Sequence, residues 1–242
     1  MNLILILDTS ICGLAMGLVE VTNPEPTSSS RLSKISWSYI HVEAAGAAKS
    51  LSDVLTSGLK RLGRNQADIA GILVSNGPGS FTGIRVGLAF ASGIQAGSGR
   101  QTLPIVGVSS LQLLAEALAK SESGPVVAAL SATKMAGYIA VSDLGEVTTL
   151  YSINFENPAE LPSIDFSKSK HFICGEWPEF SKNYPVKLLS KSIEIAAVAE
   201  KALYGMSEYC GRIEWEGVGD ELPGALYLRR STVEERFARG GK

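Results

Sequence analysis

Histidine is almost missing from this sequence: His41 and His171 are the only two among 242 residues, and they lie far apart. A metal site built on two histidines one helical turn apart is therefore excluded. With no G-x-S-x-G elbow either, a serine-hydrolase triad is disfavoured. Cysteine is scarce as well. Cys12, Cys174 and Cys210 are odd in number and widely spaced, which fits reduced thiols in the cytoplasm better than a disulfide framework or a zinc knuckle. Charge of either sign is not in excess, since 22 basic residues face 24 acidic ones for a net charge of −2. No protein-wide field draws the chain onto nucleic acid, so any RNA contact must be local. Long hydrophobic runs are also missing. The N-terminal Leu3–Leu7 run has no basic flank and ends at Asp8; it reads as a buried strand, not a signal peptide or a membrane span.

What is present is ordinary globular material, 45% apolar and 19% charged, long enough to bury a core as one large domain or two small ones. "LILIL" suits a central strand covered on both faces. "CGLAMGLV" follows a short polar turn, and "TNPEPTSSSRLS" reads as an exposed loop. In "KISWSYI" apolar and polar residues alternate, as in a strand with one buried face. Apolar positions at helical period run from Ala47 to Leu62 and stop at Gly63. "GILVS" is a further buried strand that feeds a glycine loop and a helix. The first hundred residues thus read β-β-β-α-β-α.

The second half echoes that order. "IVGVSS", a helix near Leu111–Lys120, strands at "PVVAAL", "GYIAV", "EVTTLYSI" and "HFIC", and a helix over Ile193–Tyr204 follow one another. This order predicts an α/β fold of two ribonuclease-H-like halves, of the actin and hexokinase (ASKHA) type, each a mixed five-stranded sheet flanked by helices. The halves share the order of elements, not their residues.

The glycine loop lies within "SNGPGSFTGIRVGLAFASG", Ser75–Gly93. A P-loop needs a lysine after its second glycine, whereas Gly83 is followed by Ile84 and Arg85. The dinucleotide fingerprint is missed by one residue. It would also need an acid about twenty residues on, yet no Asp or Glu occurs between Asp68 and Glu116. Two readings stay open: a cradle of backbone N–H groups at a helix N-terminus that holds an anion, or a tight turn that needs glycine dihedrals. Gly83, Gly87 and Ala91 then fall on one helix face at four-residue spacing, although each glycine costs a helix about 1 kcal/mol relative to alanine. Such a smooth face admits another backbone closely, from the same domain or from a second subunit.

"GPGSFTGIRVGLAFASGIQAG", with "LILDTS", "GVSSL" at Gly107–Leu111 and "PGALYLR" near the end, resembles the bacterial TsaB (YeaZ) family, which serves threonylcarbamoyladenosine formation in tRNA. The resemblance implies a catalytically silent relative of the glycoprotease-like TsaD, the protein that transfers the threonylcarbamoyl group from threonylcarbamoyl-adenylate to adenosine beside the anticodon. It implies TsaD and the ATPase TsaE as partners, a homodimer when alone, tRNA contact only through the complex, and no membrane. The helices after Gly46 and after Thr82 would form the association surface, with Ala47, Leu51, Gly83, Gly87, Phe90 and Ala91 as its residues. The sequence departs from the family pattern at Ser131, where an acid is usual, near Gly46, where a histidine is usual, and in the longer 22–33 loop.

Asp8 ends the first strand, where a nucleotide- and metal-holding acid of this fold would stand. The matching second-half segment "VVAALSATKMAGYIA" has no acid, and half a site does not hydrolyse ATP. The candidate nucleotide or anion loop comprises Asp8, Thr9, Ser10, Gly77, Gly79, Ser80, Thr82 and Arg85. No cofactor or metal of its own and no catalytic residue are expected, with ADP or ATP at the TsaD interface as the nucleotide option. The alternative function is an ATP-dependent or metallopeptidase-like enzyme of the same fold. Domains are expected at 1–105 and 106–222, followed by a basic tail at 223–242 that packs back on the first. The tail's Arg229, Arg230, Arg236 and Arg239 are candidate tRNA contacts, set against a merely solvated terminal helix.

Overall fold

The structure, a computed structural model, describes residues 2–11, 13–22, 32–42, 47–99, 103–121, 126–133, 136–143, 146–154, 170–174, 192–193, 195–215, 218–219 and 221–226. Strands β1 (Asn2–Asp8), β2 (Leu14–Thr22) and β3 (Leu32–His41) form an antiparallel meander. On the other side of β1 come β4 (Ile69–Ser75) and β5 (Ile105–Val108), both parallel to it, giving the order β3-β2-β1-β4-β5. The second sheet repeats this. Strands β6 (Val126–Thr133), β7 (Ala136–Asp143) and β8 (Glu146–Asn154) form the meander, and β9 (Lys170–Cys174) and β10 (Ser192–Ile193) add parallel strands in the order β8-β7-β6-β9-β10. The two ribonuclease-H-like halves expected from the order of elements are therefore present.

The unbroken apolar run of β1 follows from burial on both faces. Leu3, Leu5 and Leu7 meet Leu51, Leu55 and Leu59 of α1 (Ala47–Arg61) and Ile84, Leu88, Ala91 and Ile94 of α2 (Phe81–Gly97). Ile4 and Ile6, one residue out of phase, point the other way and meet Ala199, Leu203 and Met206 of the C-terminal helix α4 (Ile195–Cys210).

That second contact crosses between the halves. Helix α3 (Ser110–Ser121) follows β5 of the first sheet yet packs on β6, β7 and β8, where Leu111, Leu114, Ala115 and Leu118 join Val126, Ala128, Leu130 and Tyr138. Helix α4 follows the last strand of the second sheet yet packs on β1, β2 and β3, and it also touches α3. Each sheet is thus covered by the helix that leaves the other one. The division expected after residue 105 falls at the first residue of β5, which pairs with β4.

Trp215 closes the end of α4: its buried indole N–H donates to the Cys210 carbonyl at 3.1 Å. An Arg212–Glu116 pair at 3.2 Å ties α4 to α3 at the surface, where such a pair contributes about 0–1 kcal/mol. Cys210 itself is buried, and desolvation pushes its thiol well above the ordinary range, against a smaller lowering by a backbone hydrogen bond. With Cys12 and Cys174 replaced by serine, Ellman's reagent should therefore leave the native thiol unmodified and react with it at once in guanidinium. Rapid native modification would contradict this packing.

Candidate functional site

Asp8, at the C-terminal end of β1, is fully buried, and its chemistry is spent on its own turn. Its Oδ1 accepts from the Ser10 N–H at 2.6 Å, the Ser10 hydroxyl at 2.7 Å and the Ile11 N–H at 3.4 Å. Because the Ser10 proton goes to Asp8, the 2.8 Å contact between the Ser10 and Ser75 hydroxyls has Ser75 as its donor. The end of β4 is thereby tied to the turn after β1. Asp8 Oδ2 and the hydroxyl of Ser110, the first residue of α3, are buried with no partner among the described residues. A divalent cation needs several oxygen ligands. Among the described residues, no three His, Cys, Asp or Glu side chains gather to hold one.

The same turn fills the glycine loop. Ser80 caps α2 by accepting from the Gly83 N–H at 3.1 Å, and its own N–H donates to the Ser10 carbonyl at 2.8 Å. The Ser10 carbonyl lies where a side chain on Gly79 would stand, and the Thr9 carbonyl where one on Gly83 would stand. The Thr9 hydroxyl donates to the Gly83 carbonyl at 2.7 Å, and a Cβ on Gly87 would lie 2.5 Å from that same hydroxyl oxygen. Gly79 before α2 and Gly83 and Gly87 within it are therefore needed because residues 9 and 10 pass directly over the start of the helix. A phosphate at this loop would have to displace two carbonyl oxygens of the chain itself, and carbonyls repel anions.

A third segment completes the loop from the other side. The Leu226 N–H donates to the Asn76 carbonyl at 2.7 Å, and the Asn76 side-chain amide donates to the Gly224 carbonyl at 3.0 Å. Gly77, at φ +115°, faces the Leu226 carbonyl, 2.8 Å from where a Cβ would be. Residues 223–226 thus strap across the ends of β4 and β5.

The sequence-predicted residues divide accordingly. Asp8, Thr9, Ser10, Gly77, Gly79 and Ser80 come together as expected, but as a self-contained packing unit. Thr82 is exposed on the first turn of α2. Arg85 is exposed too, its guanidinium 3.9 Å above the Phe81 ring centre, a cation–π contact. Four of the expected partner-surface positions need correction. Gly87 and Ala91 are buried, Gly83 is covered by Thr9, and Leu51 lies in the core with Leu55 and Leu59. Each faces inward because the apolar or small stripe of its helix is the one that meets the sheet. The side chain of Ala47 and residues Arg229, Arg230, Arg236 and Arg239 fall outside the described residues. Phe90 remains partly exposed.

Phe90 belongs to a feature that the sequence did not reveal. Between α1 and α2 runs an open groove of about 620 Å³, floored by Leu55, Leu59, Phe90 and Ile94 and rimmed by Lys60 and Arg64. Ser75 and Asn76 were missed as well. Their signal was weak: a serine and an asparagine at a strand end.

A model of the family described as TsaD, tRNA N6-adenosine threonylcarbamoyltransferase, matches residues 43–172, more than half of the 242-residue chain. The chain belongs to this family. Within it, the chain is similar to the tRNA threonylcarbamoyladenosine biosynthesis protein TsaB of Escherichia coli (strain K12), 37% identical over 83 residues, which cover 34% of this chain and 33% of that protein. It is also similar to TsaB of Haemophilus influenzae, 40% identical over 72 residues, covering 29% and 28%. The match spans about a third of the length of these curated relatives, at 33% and 28%. Among solved structures, YeaZ from Pseudomonas aeruginosa superposes with a TM-score of 0.63 at 22% identity, over 94% of this chain and all of that one. A second, described as an uncharacterized protein with similarity to peptidase YEAZ from Pseudomonas aeruginosa, gives 0.62 at 22%, over 95% of this chain. These likenesses show a shared fold, and the resemblance to TsaB (YeaZ) read from the glycine loop is found again. Among the described residues of this family member, no helix is long and apolar enough to cross a membrane.

Proposed function

We propose that this chain serves tRNA threonylcarbamoyladenosine biosynthesis as a non-catalytic partner of TsaD, in an assembly joined by TsaE, and that it pairs with itself when alone. The observation that carries this reading is the contrast between two places. Asp8 and the glycine loop, where this fold would hold a nucleotide, are occupied by the chain's own backbone and hydroxyls, whereas the α1–α2 groove is open and floored by apolar side chains. An open groove with an apolar floor, on which Phe90 is partly exposed, and a polar rim is a shape that a partner's side chains can enter. Any ADP or ATP at that interface would take its phosphate contacts from the partner, because the loop's own N–H groups at Ser80 and Gly83 are already bonded. The arginines of the tail, Arg229, Arg230, Arg236 and Arg239, would reach tRNA phosphates only within the complex.

The test is Phe90→Asp, which places a charge on the groove floor at a partly exposed side chain that packs on the edge of the core. Binding to purified TsaD of the same organism, followed by calorimetry, should weaken at least about a hundredfold, a loss typical of a central interface residue, while circular dichroism stays that of the wild type. Wild-type affinity in the folded variant would remove the groove from the interface. ATP or peptide turnover by the purified chain would favour the enzyme alternative instead.

A further inference from the structure

The groove rim carries a charge bias that its floor does not explain. Helices α1 and α2 hold Lys49, Lys60, Arg61 and Arg85 against a single acid, Asp53. Of the groove's lining residues, Lys60 and Arg64 are charged and none is acidic. Arg64 approaches Glu20 at 3.9 Å, with 44% of its side chain exposed, a contact too long and too wet to neutralise it. Lys60 is exposed. A two-fold self-association brings the same patch against itself, so a second copy of this chain sets cations against cations across the groove. A partner whose inserted segment bears carboxylates meets the opposite situation.

We propose that Lys60 and Arg64 are specificity-determining residues, which select a carboxylate-bearing helix of the partner over a second copy of this chain. The groove fits a helix: its floor residues Leu55 and Leu59, and Phe90 and Ile94, repeat at four-residue spacing on each wall, which forms a channel for the ridge of a third helix. The inference rests on the groove being the partner surface, and it assigns the choice between partners to charge rather than to apolar fit. Like charges at an interface suppress the wrong complex and opposite charges favour the right one, both through a term that salt screens.

Two dissociation constants are measured by analytical ultracentrifugation, for the homodimer and for the complex with TsaD, between about 0.05 and about 0.5 M ionic strength. Salt should weaken the TsaD complex and strengthen the homodimer. Lys60→Glu combined with Arg64→Glu should weaken TsaD binding roughly tenfold or more at low salt without tightening the homodimer, where it sets carboxylates against carboxylates. Because Lys60 also lies in the last turn of α1, the neutral pair Lys60→Gln and Arg64→Gln is measured beside it; it should weaken TsaD binding less and, by removing the like charges, tighten the homodimer. If wild-type protein binds TsaD, Phe90→Asp abolishes that binding, and neither salt nor the neutral pair moves the two constants in opposite directions, the charge selection is overturned while the groove interface stands. If wild-type protein does not bind TsaD, or Phe90→Asp binds normally, the interface reading falls and takes this inference with it.

Discussion

Gly87→Leu should destabilise this protein by roughly 3 kcal/mol or more, the upper part of the overpacking range, whereas Gly93→Ala, later in the same helix, should stabilise it. A side chain at position 87 enters the space between α2 and the turn after β1. Its Cβ would lie 2.5 Å from the Thr9 hydroxyl oxygen and 3.6 Å from Val74, and the Thr9 hydroxyl is itself fixed by its bond to the Gly83 carbonyl. Neither neighbour is the free end of a flexible chain, so the helix must move away from the sheet. For a chain of this size that loss lowers the melting temperature by about 6–12 °C. At Gly93 a Cβ would meet nothing within 4 Å, and the residue is exposed within α2. Alanine there gains helix propensity, up to about 1 kcal/mol. Thermal melts followed by circular dichroism separate the two signs. A folded Gly87→Leu protein of wild-type stability would mean that the smooth face of α2 is not filled by Thr9.

Asp8→Ala should cost about 3 kcal/mol, and Asp8→Asn much less. Alanine removes the acceptor of three donors, the Ser10 N–H, the Ser10 hydroxyl and the Ile11 N–H, in a site with no exposure. Buried donors left unpaired cost about 1–3 kcal/mol each, partly relieved because Ser10 can reorient toward Ser75. Asparagine keeps an oxygen at the accepting position and changes only Oδ2, which has no partner among the described residues. Urea titrations that placed the two variants together, with asparagine as damaging as alanine, would show that the carboxylate is needed for something other than closing the turn.

Much of this architecture was legible in the chain. The "LILIL" run could only be a strand covered twice, and Leu3, Leu5 and Leu7 do face α1 and α2 while Ile4 and Ile6 face α4. The β-β-β-α-β-α order, read twice, corresponds to two sheets of the same strand order. The expected helix at Ile193–Tyr204 is displaced: Ser192–Ile193 is a short strand, and the helix runs over Ile195–Cys210. Ile193 is apolar for the sheet rather than for the helix, and periodicity alone does not separate the two. The exchange of α3 and α4 between the halves was not legible, because an apolar helical stripe does not name the sheet that it meets. The same ambiguity misassigned Gly83, Gly87 and Ala91. A stripe of small residues signals close approach equally well whether the neighbour is a partner helix or, as here, Thr9 of the same chain. The α1–α2 groove joins residues from Ser52 to Ile94, and its shape depends on how two helices sit side by side after packing on one sheet.

The central claim is that this chain assists the modification without taking part in its chemistry, and one reconstitution addresses it most directly. TsaD, TsaE, threonylcarbamoyl-adenylate and substrate tRNA are combined with no further addition, with the wild-type chain, or with folded Asp8→Asn, and the modified nucleoside is quantified by mass spectrometry. The account predicts that modification fails when the chain is omitted and is restored equally by wild type and Asp8→Asn. Full modification without the chain, or its loss with folded Asp8→Asn, would contradict it.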